Sequence, residues 1–124
     1  MTGVQTCALP IYDFIILNKV KWLLGYSDKY VFNTFSKVHT SIKIKLQDNL
    51  YSLLENCIRA NVNKGNIRSK YQNEMLVNVM LLDFYIGEAL DKKIVKKNRF
   101  NSFVNAINEI RKMTISWSNN EEKV

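Results

Sequence analysis

Apolar residues along this chain recur at intervals of three and four, the period of helices packed on one face, and not at the interval of two that marks a strand. Phe14, Leu17, Val20 or Lys21, and Leu24 share one face and then meet Gly25, a residue suited to a left-handed C-cap. They predict a short first helix over about Asp13 to Leu24. The longest stripe runs Phe35, Val38, Ile42, Leu46, Leu50, Leu53 and Cys57, with Ser27 and Asp28 placed to cap the helix that carries it. A third stripe, Ile67, Tyr71, Met75, Val79, Leu82, Ile86 and Ala89, follows a break at Asn63, Lys64 and Gly65, and Asn66 is its expected cap. A fourth helix is expected from Val95 or Lys96 and carries Phe103, Ile107, Ile110, Thr114 and Trp117.

Short connections favour antiparallel neighbours, so the predicted fold is all-α, an up-and-down four-helix bundle with a short first helix. The second helix turns a polar face outward through Lys37, Ser41, Lys45, Asp48, Ser52, Glu55 and Arg59. The third also carries Leu76, Met80 and Leu81 beside its stripe and is apolar over more than one face. A second apolar face left in water is an aggregation liability, so this helix either sits centrally in its own bundle or buries that face against another subunit, and a homo-oligomer is expected.

The first eleven residues, MTGVQTCALPI, break the pattern. They hold no charge, the only proline of the chain and one of its two cysteines. They lack the basic start and apolar run of a signal peptide, and the string resembles an in-frame translation of a sequencing adapter. Residues 1–11 are therefore expected to be a non-native, disordered segment, 12–119 the bundle domain, and 120–124 a polar tail that frays after Asn119.

Composition narrows the function more than the fold. With 47% hydrophobic residues the 124-residue chain can bury one core, and four glycines are too few for the turns of an all-β fold. No apolar run approaches the roughly 18 residues of a membrane span, and the sparse cysteines fit the cytoplasm. The single histidine, His39, has no second histidine or Glu-x-x-His motif beside it, so no metal site is expected. Cys57 lies in a core stripe with no histidine near it in sequence, and no Gly-rich phosphate loop is present. Asp83, Glu88 and Asp91 read as a solvated acidic face. Neither a cofactor nor a catalytic residue is expected.

Eighteen lysines and arginines against eleven acids give a formal charge of +7. Lys92, Lys93, Lys96, Lys97 and Arg99 place five cations in eight positions across the last connection. Lys37, Lys43 and Lys45 add charge along the second helix, and Arg59, Lys64, Arg68 and Lys70 form another basic stretch. Such clusters suit phosphate contacts that do not read sequence. A lysine-rich solubilising surface, with cations complementing the C-terminal dipole of the third helix, is the competing reading.

The opening YDF (Tyr12, Asp13, Phe14), the segment LLENCIRA, the basic DKKIVKKNRF and the closing INEIRKMTISW together resemble the accessory variability determinant (Avd) proteins of diversity-generating retroelements and related bundles encoded within bacterial ribosomal RNA genes. The resemblance covers Tyr12 to Trp117, and Ile115 and Ser116 stand where the family usually has two glycines before the tryptophan. It implies a pentameric barrel of four-helix bundles that binds a reverse transcriptase and its template RNA, a non-enzymatic adaptor whose polymerase partner carries the chemistry. A protein-interaction bundle with no nucleic-acid role is the alternative.

Overall fold

The computed structural model describes residues 11–122, with side chains over 15–120. Four helices make up the bundle: α1 (Ile11–Tyr30), α2 (Thr40–Val62), α3 (Gly65–Asp91) and α4 (Lys97–Glu122). There is no strand among the described residues. Each helix packs on its sequence neighbours and α1 closes the ring against α4, leaving α1 diagonal to α3 and α2 diagonal to α4. The expected up-and-down topology is present, and α1 is the shortest of the four.

Residues 1–10 and the side chains of Tyr12, Asp13 and Phe14 lie outside the described residues, as do Lys123 and Val124. The segment set apart at the N-terminus thus enters the structure only at Ile11, which opens α1. Past Asn119, α4 continues through Glu122.

The core is a continuous layer that includes Val20 and Leu23 of α1, Leu46, Leu50 and Leu53 of α2, Met75, Leu82 and Ile86 of α3, and Phe103, Ile107 and Ile110 of α4. The fourth predicted stripe is buried in full, Thr114 and Trp117 included. Thr114 hydrogen-bonds to the Ile110 carbonyl at 2.7 Å, which lets a hydroxyl sit in the apolar layer.

Three expectations from the pattern are corrected. First, α1 does not stop at Gly25 but runs on to Tyr30. Its inward positions continue through Leu23, Ser27 and Val31, while Gly25 faces solvent. A mid-helix glycine costs about 1 kcal/mol, and burying Val31 and Phe32 at the top of the core returns about 1.5–3 kcal/mol each. Second, Ser27 and Asp28 therefore cap nothing, and α2 begins only at Thr40. The chain crosses the top of the bundle in two short 3₁₀ turns, Phe32–Thr34 and Lys37–His39. Phe35 is half-buried there and Val38 is 84% exposed, so neither belongs to the α2 stripe. Third, α3 starts at Gly65, whose φ of +63° is left-handed, and Asn66 is not its cap.

The start of α3 also turns one position from the predicted register. Ile67 is exposed, whereas Arg68 and Gln72 face inward. Arg68 Nε donates to the carbonyls of Ala60 and Asn63 at 2.8 Å each, and its Nη2 donates to Asn61 at 3.1 Å. One guanidinium thereby satisfies carbonyls left free at the C-terminus of α2. It also lies 5.2 Å from the Trp117 ring centroid, tying the α2–α3 turn to the end of α4. A polar relay fixes the register of α2 on α3: Asn56 donates to Asn78 at 2.9 Å, and Asn78 donates to Asn49 at 3.1 Å.

Candidate nucleic-acid interface

The five clustered cations occupy the α3–α4 connection and the first turn of α4. Lys92 and Lys93 end α3 in a Schellman arrangement, with the Lys93 N–H donating to Leu90 and the Ile94 N–H to Ala89, at 2.9 and 2.8 Å. Lys93 takes the left-handed position at φ +61°, a place usually held by glycine. Both lysine side chains are exposed.

Lys97 and Arg99 stand in the first turn of α4, and Lys96 immediately precedes it. That turn contains no acid. A helix N-terminus carries partial positive charge, so cations placed there oppose the dipole by a few tenths of a kcal/mol each. Helix stability therefore does not account for them, and their field adds to that of the free amides.

Arg99 is the residue that turns this cluster into a shaped surface. It is half-buried, and its guanidinium lies 4.1 Å from the centroid of Tyr30 at the end of α1. Tyr30 continues a ladder of rings up α1: Trp22 and Tyr26 stack with centroids 5.0 Å apart, and Tyr26 and Tyr30 are 5.1 Å apart. Lys29 lies 5.3 Å from the Tyr30 centroid and Lys19 lies 5.6 Å from that of Trp22, while Lys19 also pairs with Glu109 of α4 at 3.1 Å. An open groove of about 560 Å³ runs along this ladder between Lys21, Lys29 and Arg99. A second, of about 290 Å³, continues past Arg99 to Lys96, Asn33 and Thr34.

Of the predicted cations, the structure brings Lys96 and Arg99 into the groove. Lys97 lies beside them, 5.3 Å from the Phe100 ring, and Lys92 and Lys93 stand at the same end of the bundle. Lys37 lies in the 3₁₀ connection and not on α2. Lys43 and Lys45 belong to α2, diagonal to α4, and do not line the groove. In the other basic stretch Arg68 is committed to capping α2, and Arg59 pairs with Glu55 at 3.6 Å.

Trp22, Tyr26, Tyr30 and Lys29 were not singled out by the sequence pattern, and Lys21 entered it only as a stripe position. The signal was present as aromatics at intervals of four in WLLGYSDKY, but placing a helix end at Gly25 cut it in half.

Among the described residues, no three His, Cys, Asp or Glu side chains are arranged to hold a metal ion. His39 is half-buried in a 3₁₀ turn, and Cys57 is buried in the core. No helix of the described residues is long and apolar enough to cross a membrane. No family model, curated protein or solved structure matches the chain.

Proposed function

We propose that this chain is a non-enzymatic, self-associating adaptor that binds nucleic acid through the basic end of its bundle. The observation that carries this reading is that Lys21 and Lys96 line two adjoining grooves that share Lys29, Tyr30 and Arg99, beside the acid-free first turn of α4. Convergent cations from two helices hold phosphates at a density that a dispersed solubilising surface does not provide. Lys92, Lys93 and Lys97 extend the contact past the rim, Lys37 adds charge from the α1–α2 connection at the same end, and Lys43 and Lys45 on α2 supply a weaker field. The resemblance to the Avd proteins extends the proposal to template RNA as ligand, a reverse transcriptase as partner and a pentamer as assembly.

The test is RNA binding by the full chain against a variant with Lys92, Lys93, Lys96, Lys97 and Arg99 changed to Gln. The variant is expected to lose at least about tenfold in affinity near 100 mM salt. Unchanged affinity would remove the phosphate assignment.

A second reading is favoured by a different surface. Val77, Met80, Leu81 and Phe84 follow one another at helical spacing on α3, and Met80 and Phe84 are 67% and 63% exposed. A row of this kind suits a protein partner. In the adaptor reading it is the self-association face; alone, it would define a protein-interaction bundle.

A further inference from the structure

We infer that the α1 ladder of Trp22, Tyr26 and Tyr30 is a stacking platform for unpaired bases, which makes single-stranded nucleic acid, and not duplex, the ligand of the groove. The inference rests on the nucleic-acid reading above and specifies its ligand class.

Trp22 is 49% exposed, and Tyr26 and Tyr30 each keep part of their surface open. From Trp22 to Tyr30 is eight residues, about 12 Å of helix at 1.5 Å per residue, a span that suits about two extended nucleotides. Cations border the rings: Lys21 and Lys29 come from α1 itself, and Arg99 comes from α4, its guanidinium over Tyr30. Rings that accept a base face beside cations that follow the backbone are the combination by which single strands are bound without sequence preference. A duplex keeps its base faces stacked inside and offers only its phosphates to such a surface.

A protein partner fits the same surface less well. Tyr, Trp and Arg are common in protein interfaces, but lysine is depleted from them, and here Lys19, Lys21 and Lys29 stand among the rings. Ring pairs at four-residue spacing also stabilise a helix, by only a few tenths of a kcal/mol each, which does not call for flanking cations.

The experiment compares three probes on the full chain: a 12-nucleotide oligouridine strand, an abasic strand with the same number of phosphates, and a duplex of the same length. The oligouridine strand is expected to bind at least about tenfold tighter than the abasic strand, since stacking two bases is worth that much or more. It should also quench tryptophan fluorescence, because Trp22 is open while Trp117 is only 2% exposed. In W22F that quenching should vanish, and in W22A/Y30A the preference for bases should collapse while the salt dependence stays. Equal binding of the oligouridine and abasic strands, or tighter binding of the duplex, would overturn the platform and leave the phosphate groove standing. Failure of all three probes to bind would overturn both.

Discussion

At the scale of single residues, two basic side chains that look alike in sequence have opposite duties. Arg68 sits in a run with Arg59, Lys64 and Lys70, yet it is 5% exposed and spends its guanidinium on the carbonyls of Ala60 and Asn61 in α2 and of Asn63 just after it. Removing it strands buried acceptors and the Trp117 contact. R68A should therefore lower unfolding free energy by about 2–4 kcal/mol in denaturant titration, and R68K should recover less than half, because an ammonium cannot reproduce the planar fork. Lys93 is exposed, and its backbone carries the local strain. A non-glycine residue at left-handed φ costs about 1–2 kcal/mol, so K93G is expected to raise the unfolding midpoint by the equivalent of about 1 kcal/mol while removing one cation from the proposed interface. Neither duty is written in residue type. Arg68 reads as surface charge because the carbonyls that need it belong to another helix, and Lys93 reads as ordinary because the left-handed position usually announces itself as glycine.

At the scale of elements, periodicity located every helix and misjudged three of their boundaries. The α4 stripe was legible to the last residue because burial alone sets it. The end of α1 was not, because Gly25 carried a C-cap signal that the tertiary contacts of Ser27, Val31 and Phe32 override. Gly25 has no left-handed φ, and a Cβ added there would meet nothing within 4 Å. G25A should accordingly stabilise the fold by about 0.5–1 kcal/mol, measured by thermal or denaturant unfolding; a loss of stability would mean that the helix ends there after all. The same boundary decided how much of the candidate site could be read. The basic run on the α3–α4 connection stands out from charge alone. The aromatic ladder emerges only when α1 is followed as one helix from Trp22 to Tyr30, and its meeting with Arg99 depends on the α1–α4 contact that no linear pattern reports.

At the scale of the whole molecule, the basic groove and the row of exposed apolar residues on α3 lie on different helices, while Ile15 and Trp22 of α1 and Ile115 of α4 are exposed as well. The groove between α1 and α4 is basic, whereas α3, diagonal to α1, turns Val77, Met80, Leu81 and Phe84 to solvent. The adjacent α2 exposes Ile44, Tyr51 and Ile58 at intervals of seven. This separation would let the chain assemble through α2 and α3 while its basic end stays open. In sedimentation equilibrium the full chain is expected to run as an oligomer and M80E/F84E as a monomer with unchanged helicity; a monomeric parent chain would remove the self-association proposal. The central claim, that the basic end holds phosphates, is tested most directly by the affinity of the full chain for a single-stranded RNA across a salt series. Seven contacts (Lys21, Lys29, Lys92, Lys93, Lys96, Lys97 and Arg99) at about 0.7 released counterions each predict a log–log slope of roughly −5, and a slope near zero would contradict the account.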